Sequence, residues 1–317
     1  MLAAHADWSV DARKRWMALA RRGADASGGG PAWRIAAPVP VGEVATLFAR
    51  LLNMAAGGPV ALGVDLPLGL PRAYAAGLGV PDFPAFLRGL AATPAFFEVC
   101  ATLDEVSAAR PFYPRRGRAG MTRAAHAAAL GLASAAGLSR ACDRATAERP
   151  AGAPLFWTLG ANQSGKAAIA AWRDLLLPAW AAGVPVRLWP FDGPFRSLLA
   201  PGAIALAETY PAEALRQLGL RMGGSKRRQA DRVALGPALL DACRRVGALP
   251  DDTLTAAALD GFGASVAGED RFDCLLGLLC VIAVLDGHRP DGAPPDPAIR
   301  RWEGWVLGQT ALPIVPP

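Results

Sequence analysis

Aspartate is depleted from β-strands because its charge must be solvated or paired. Two aspartates nevertheless end apolar runs in this chain: Asp7 in Ala4-His5-Ala6-Asp7-Trp8 and Asp65 in Val60-Ala61-Leu62-Gly63-Val64-Asp65. In open α/β sheets the carboxyl ends of strands are where sites are built. If the two runs are parallel neighbours, Asp7 and Asp65 lie side by side, and carboxylates in contact need a shared divalent cation or a shared proton. Glu208 repeats the pattern, closing Ala203-Ile204-Ala205-Leu206-Ala207 before Thr209-Tyr210-Pro211 turns into a helix. A fourth position is Glu269-Asp270-Arg271-Phe272-Asp273, ahead of the apolar stretch from Cys274. Asp270 and Asp273 are three apart and share a helix face. Plainer readings stand beside these: Asp65 as a turn-starter before Pro67, Glu208 as an acid at a helix entry, Glu269 and Asp270 as first-turn decoration. Asp273 is harder to dismiss. It adjoins Cys274, Leu275 and Leu276 and shares a face with Gly277, a small residue that would let the helix lie close against a sheet.

The elements that must carry these acids are readable over the first 65 residues. Leu2 to Trp8, Lys14 to Ala20 and Ala32 to Ala37 read as strands, with Gly23 to Pro31 as a glycine-rich loop. Val41 to Ala56 has apolar residues at helical spacing (Val44, Leu47, Phe48, Leu51, Leu52) and stops at Gly57-Gly58. Pro59 to Val64 is a nearly all-apolar run, the pattern of a strand buried on both faces. The order is β-β-β-α-β, one of the few short topologies that the adjacency and handedness rules favour. Residues 67–154 are rich in Ala, Gly and Pro and read as a helical insertion or lid, with helical fragments at Pro84 to Leu90, Ala95 to Val106 and Thr122 to Ala136. The α/β pattern then resumes: strands at Leu155 to Leu159, Pro185 to Trp189 and Ile204 to Ala207, and helices at Lys166 to Ala182, Pro211 to Leu218, Arg227 to Val246 and Asp270 to Leu285. Pro290 to Pro297 reads as a linker, and Trp302 and Trp305 as the anchor of the last segment.

Composition narrows the function classes. With 317 residues, 52% of them hydrophobic and 19% charged, the chain has ample material for a core and is not a disordered protein. The longest apolar run, Cys274 to Leu285, is too short for the ~20 residues of a membrane span. Asp7, Asp11 and nearby arginines break any secretory signal. Five cysteines without a C-x-x-C pair, and three histidines, point to neither a disulfide framework nor a zinc site. A soluble cytoplasmic protein is expected. The net charge of +6 suits a phosphate-bearing partner. Only Lys14, Lys166 and Lys226 are lysines, so the basic side is almost all arginine, as in a GC-rich genome, and most of it reads as solvated exterior.

A competing motif lies at Gly160-Ala161-Asn162-Gln163-Ser164-Gly165-Lys166, which matches the phosphate-cradling pattern G-x-x-x-x-G-K. Ala167 stands where that motif needs Ser or Thr on magnesium, although Asp192 imitates its second, acidic element. The alternatives are a tight-turned helix start, or a grip in which helix amides and Lys166 hold a substrate phosphate. Gly224 to Arg232 is the densest basic stretch and makes Lys226 and Arg232 candidate phosphate contacts; blandly it is an exposed helix start. Arg115, Arg116 and Arg118 are a second basic candidate, beside Phe112 and Tyr113, which could stack on bases or simply pack.

Four segments carry a family resemblance: Asp7-Trp8-Ser9, Val64-Asp65-Leu66-Pro67-Leu68-Gly69-Leu70-Pro71, Glu208-Thr209-Tyr210-Pro211-Ala212 and Asp270-Arg271-Phe272-Asp273. They resemble the signatures of domain-of-unknown-function family 429, described as predicted nucleases of the ribonuclease H-like fold. The D-x-P-x-G-L and E-x-Y-P pieces are the most specific. The resemblance implies a ribonuclease H-like α/β fold, a mixed sheet flanked by helices, with acids on the first and fourth strands and two acids three apart on a C-terminal helix. Phosphodiester hydrolysis in such a site needs an activated water and a stabilised leaving oxygen, which two Mg²⁺ ions ~3.5–4 Å apart supply. Magnesium (or Mn²⁺) prefers hard oxygen ligands, which suits an acid cluster with almost no histidine. Asp7 is the expected bridging ligand, with Asp65, Glu208 and Asp273 completing the shell and Asp270 beside them. The expectation is a metal-dependent nuclease or phosphoesterase acting on nucleic acid or a nucleotide. The rivals are a nucleotide-binding phosphotransferase built on the Gly160 to Lys166 loop and a non-catalytic nucleic-acid-binding protein.

Overall fold

A computed structural model of the chain describes residues 1–23, 32–117, 120–159 and 164–314. The expected glycine-rich loop falls outside the described residues except for Gly23, as do Arg118 and residues 160–163 of the phosphate-loop motif. The chain forms two compact units: Met1–Asp65, Val184–Gly292 and Leu307–Gln309 in one, and Leu66–Gly183, Ala293–Val306 and Thr310–Pro317 in the other.

Among the described residues the first unit holds a mixed sheet of eight strands: β1 (Leu2–Asp7), β2 (Trp16–Gly23), β3 (Ala32–Ile35), β4 (Val39–Pro40), β5 (Val60–Val64), β6 (Val186–Leu188), β7 (Ile204–Glu208) and β8 (Ala248–Pro250). Their order is β6-β7-β5-β1-β2-β3-β8, with β4 beside β2. β1 and β2 are antiparallel, as are β2 and β3, whereas β1, β5, β7 and β6 run parallel and β8 joins β3 in parallel. The expected β-β-β-α-β start is present, with the crossover helix at Leu47–Met54 and the two-residue β4 added ahead of it. Ala56 and Gly57 end that helix with positive φ, 49° and 81°, the left-handed conformation that stops a helix. β5 and β7 are buried at every residue, which is why they read as unbroken apolar runs rather than alternating ones.

The long helix Ala267–Leu285 packs on β1, β2 and β5. It starts one turn earlier than expected, so Glu269 and Asp270 are inside it, and it is buried from Phe272 to Leu285. Two glycines set how closely it lies. A Cβ on Gly277 would stand 2.2 Å from the His5 ring, and one on Gly63 would stand 2.7 Å from Val281 and 2.9 Å from Thr209. The close approach inferred from Gly277 is therefore real, and its partner surface is the β1–β5 pair.

The second unit opens at Leu66 but runs past Pro154 to Gly183. Its helices are short: Arg72–Ala75, Phe83–Gly89, Arg123–Ala129, Ser164–Ala171 and Leu177–Ala181. Asp82 and Thr122 cap two of them by accepting from the amides of Ala85 and Ala125. Several sequence expectations are corrected here. Ala95 to Val106 is not a helix but two 3₁₀ turns, Pro94–Phe97 and Leu103–Glu105. The helix from Thr122 stops at Ala129 rather than Ala136, with Gly131 at φ 70° just beyond. Leu155 to Leu159 is no strand; only Trp157 makes an isolated bridge, to Tyr113. An apolar run of that length records burial, not a ladder. The expected helix Lys166 to Ala182 is broken by a π turn at Trp172–Leu176, just ahead of Pro178, whose missing N–H cannot continue the regular ladder.

Candidate functional site

β1, β5 and β7 lie side by side and parallel, so their carboxyl ends form one edge of the sheet. Ala6 stands opposite Val64, and the Asp65 amide donates to the Ala6 carbonyl at 3.1 Å. One step further on, Asp7 and Asp65 share a row. Paired residues in a sheet stand on the same face, and successive residues alternate. The face of Asp7 and Asp65 is also that of His5 and Gly63, the one covered by the long helix. Asp273 joins the two aspartates from that helix.

The three carboxyls act on one another. Burial, then the charges of Asp65, Asp273 and Asp270, push Asp7 well above the usual carboxylate range. Burial, then Asp273, with a smaller contribution from Glu208, push Asp65 up to about 7, against the pull of Lys226. Asp273 is raised to about 6, by burial foremost and also by Glu269 and Asp270, while Lys226 opposes. Asp270, one turn earlier and half-buried, is raised by burial and Glu269 and lowered by Lys14.

Lys226 is the cation among them. Its ammonium donates to Asp273 Oδ2 and lies 3.5 Å from Glu269. Burial pulls its pKa down, but Asp273, Glu269 and Asp65 more than reverse that and raise it. The backbone beneath Lys226 is held by Arg232, whose guanidinium donates to the carbonyls of Lys226, Gly261 and Gly263. Arg232 is 1% exposed, and Gly268 has no Cβ because one would stand 2.4 Å from its Nη2. Each of its three nitrogens is engaged by a carbonyl, so the arginine positions the loop rather than reaching out to a phosphate.

Glu208 lies in the row of Ala6 and Val64, one step out of phase with Asp65. Its side chain leaves the sheet on the other face, and its charge registers on Asp65 only as the smallest of the influences named. The β7 residue in the row of Asp7 and Asp65 is Thr209, which sequence reasoning passed over. Thr209 is 1% exposed, its amide donates to the Val64 carbonyl, and its hydroxyl has no hydrogen-bond partner. No sequence signal separates the two phases, because a one-residue shift of register moves a whole strand to the opposite face.

Lys166 stands in the first turn of Ser164–Ala171 in the second unit. Gly165, the second glycine of that motif, has a reason of its own: a Cβ there would stand 2.2 Å from the Leu155 carbonyl oxygen. Phe112 and Tyr113 are buried, at 0% and 3% exposure, and Phe112 packs edge-on against Phe96 and Phe156. They pack rather than offer faces to bases. Arg115 and Arg116 are exposed.

Carboxylate oxygens are the ligand type that a hard divalent cation prefers. Asp273 is 5% exposed, with one oxygen on Lys226 and Oδ1 without a partner; Asp270 Oδ2 also lacks one. The softer groups nearby are unsuited to the task. Burial drives the His5 imidazole down to about 3, its ring lying against Gly277, and burial and Asp7 drive the Cys274 thiol well up.

The family described as "Protein of unknown function (DUF429)" matches residues 7–298, a span that begins at Asp7 and takes in every acid of the cluster. The chain belongs to this family. No curated protein and no solved structure matches it. The DUF429 description carries no activity, so the chemistry of the cluster is what any functional reading must rest on.

Proposed function

We propose that this DUF429 chain is a divalent-metal-dependent phosphodiester hydrolase of ribonuclease H-like architecture, acting on nucleic acid or a nucleotide. The observation that carries the reading is the convergence of Asp7, Asp65 and Asp273 with far less positive charge than their number calls for. Structural acids in a protein interior are matched by guanidinium or amide donors; here Asp273 Oδ1 and Asp270 Oδ2 have no partner. Asp7, Asp65 and Asp273 would hold Mg²⁺ or Mn²⁺, with Asp270 at the rim and Glu208 acting from the other face. A bound ion of this kind lowers the pKa of a water toward neutrality and offsets charge building on phosphoryl oxygens. The Asp7–Asp65 row orients the ion's ligands from the rigid sheet, and the glycine-set distance of the long helix fixes Asp273 against them. A phosphotransferase built on the Gly160 to Lys166 loop is less well supported, because the strand such a loop must follow is a turn.

The test is cleavage of single- and double-stranded DNA and RNA, and of nucleotide substrates, with Mg²⁺ or Mn²⁺ added. Asp7→Asn and Asp65→Asn should each abolish metal-dependent cleavage while the circular dichroism spectrum stays that of the parent. Unchanged cleavage in both variants would overturn the proposal.

A further inference from the structure

Two-ion sites hold both cations between carboxylates that face each other, with at least one carboxylate shared. In this cluster the place of one cation is contested. Asp273, on the long helix, accepts a hydrogen bond from an ammonium: its Oδ2 is already bonded to Lys226. The same ammonium is 3.5 Å from Glu269, and its charge reaches both Asp7 and Asp65. Resting on the metal-dependent reading above, we propose that the Lys226 ammonium stands in one of the two cation positions of the cluster, so that the site takes one divalent ion beside the lysine rather than a pair.

Three observations support this role over a mobile contact to substrate. The first is anchorage. The Lys226 carbonyl receives the buried Arg232 guanidinium, the Ser225 amide donates to Asp231 at 2.8 Å, and Arg228 closes on the same carboxylate at 2.7 Å. The lysine therefore springs from a loop fixed on both sides of it. The second is stoichiometry of charge. Asp7, Asp65 and Asp273 carry three negative charges when ionised, which one divalent ion and one ammonium balance. Glu269 has Arg227 within 3.8 Å as well as Lys226, and Asp270 has Lys14 acting on it. A second divalent ion would leave the pocket with an excess of positive charge. The third is the division of Asp273 itself. Oδ2 serves the lysine, and Oδ1 has no partner and remains for a metal. The site so assembled would be asymmetric, with Asp7 and Asp65 from the sheet and Asp273 Oδ1 left to hold a metal and the ammonium on Asp273 Oδ2. The lysine becomes a permanent positive group beside the position of a scissile phosphate.

The count of bound ions tests this without recourse to activity. Mn²⁺ is titrated into the full chain and free ion is followed by its electron paramagnetic resonance signal. The parent protein should bind one Mn²⁺ per chain at the cluster, Lys226→Met should bind two, and Lys226→Arg, which keeps the charge, should stay at one. Asp273→Asn serves as control and should lose the tight site. Two ions in the parent protein would overturn the inference while leaving the metal-dependent reading in place, and so would a count of one in Lys226→Met. No bound ion in the parent would sink the metal-dependent reading, and this inference with it. Because the parent count alone can decide against the idea, it stays falsifiable even if Lys226→Met folds poorly.

Discussion

The two units treat buried charge in opposite ways. In the second, Arg140 is 1% exposed and bonds Asp143 through two nitrogens at 3.0 and 2.9 Å, with a further contact to the Leu68 carbonyl at 3.2 Å. Nearby, the fully buried Glu303 accepts from the Arg72 backbone at 3.1 Å and from its guanidinium at 3.0 Å. Every acid of that network has a guanidinium within reach. In the first unit Asp7, Asp65 and Asp273 share one lysine between them. A paired interior ion holds a fold in one arrangement, whereas an interior acid that lacks a counter-charge stores unfavourable free energy that a ligand can relieve. On the proposed reading, the contrast marks the first unit as the one that would receive a cation.

The sharpest way to break this comparison is to remove a partner on the satisfied side. Arg140→Met should cost about 3–5 kcal/mol, the usual penalty for stranding a buried ion, read as a lower denaturation midpoint in urea. A loss well under 1 kcal/mol would mean that the Arg140–Asp143 pair is incidental. Next in size is Gly277→Ala. Its methyl group meets the His5 ring, and the overpacking should cost about 2 kcal/mol. It should also weaken Mn²⁺ binding by pushing Asp273 away from the sheet, so the two readouts should fall together.

On the unsatisfied side the sign reverses. Asp65→Asn should stabilise the metal-free protein, by about 1–2 kcal/mol at pH 8, because it deletes a charge that the pocket resists. Asp273→Asn should gain less, since it also deprives Lys226 of its bonded partner. The pH dependence follows from the same shifts. Asp65 is raised from 3.8 to about 7 and Asp273 to about 6, so between about pH 4 and pH 7 the folded protein keeps protons that the unfolded chain has released. Metal-free stability therefore falls as pH rises through that window. His5, lowered from 6.5 to about 3, acts in the other direction: its contribution is full above 6.5 and is lost as the pH falls toward 3. Comparing the parent with Asp65→Asn isolates the carboxyl part, and the variant should show the flatter decline from pH 4 to 7. Added Mn²⁺ should restore the parent at pH 8. The smallest effect belongs to Glu208→Gln. Lying one row out of phase, it should change Mn²⁺ affinity only a few-fold, where Asp65→Asn removes binding.

The cluster was legible in the sequence to the extent that burial and charge conflict locally. An aspartate at the end of an apolar run violates the ordinary pattern, and both Asp7 and Asp65 do so in a way that survives folding. Gly277 signalled the close helix because a gap in an apolar face has to be filled by something. Glu208 looked like the same signal, yet its phase depends on which residues of β5 and β7 pair, a long-range fact absent from either run alone. Lys226 was readable as basic but not as bound, since nothing local ties it to an acid 47 positions away. Glycine was the other source of ambiguity. Gly69, in the D-x-P-x-G-L segment, is forced by the Glu303 carbonyl, which a Cβ would approach to 2.1 Å. Its presence speaks of packing in the second unit rather than of chemistry. Leu155 to Leu159 misled because five apolar residues look alike in a strand and in a buried turn.

The parallel core of the first unit has a temporal consequence. β1 and β5 leave the ribosome well before the helix that carries Asp273, which is synthesised more than two hundred and fifty residues after Asp7. Contacts so distant along the chain close late in folding. A polypeptide that stops short of that helix thus has strands but no pocket, and the cation chemistry proposed for the cluster would wait until the helix has been made.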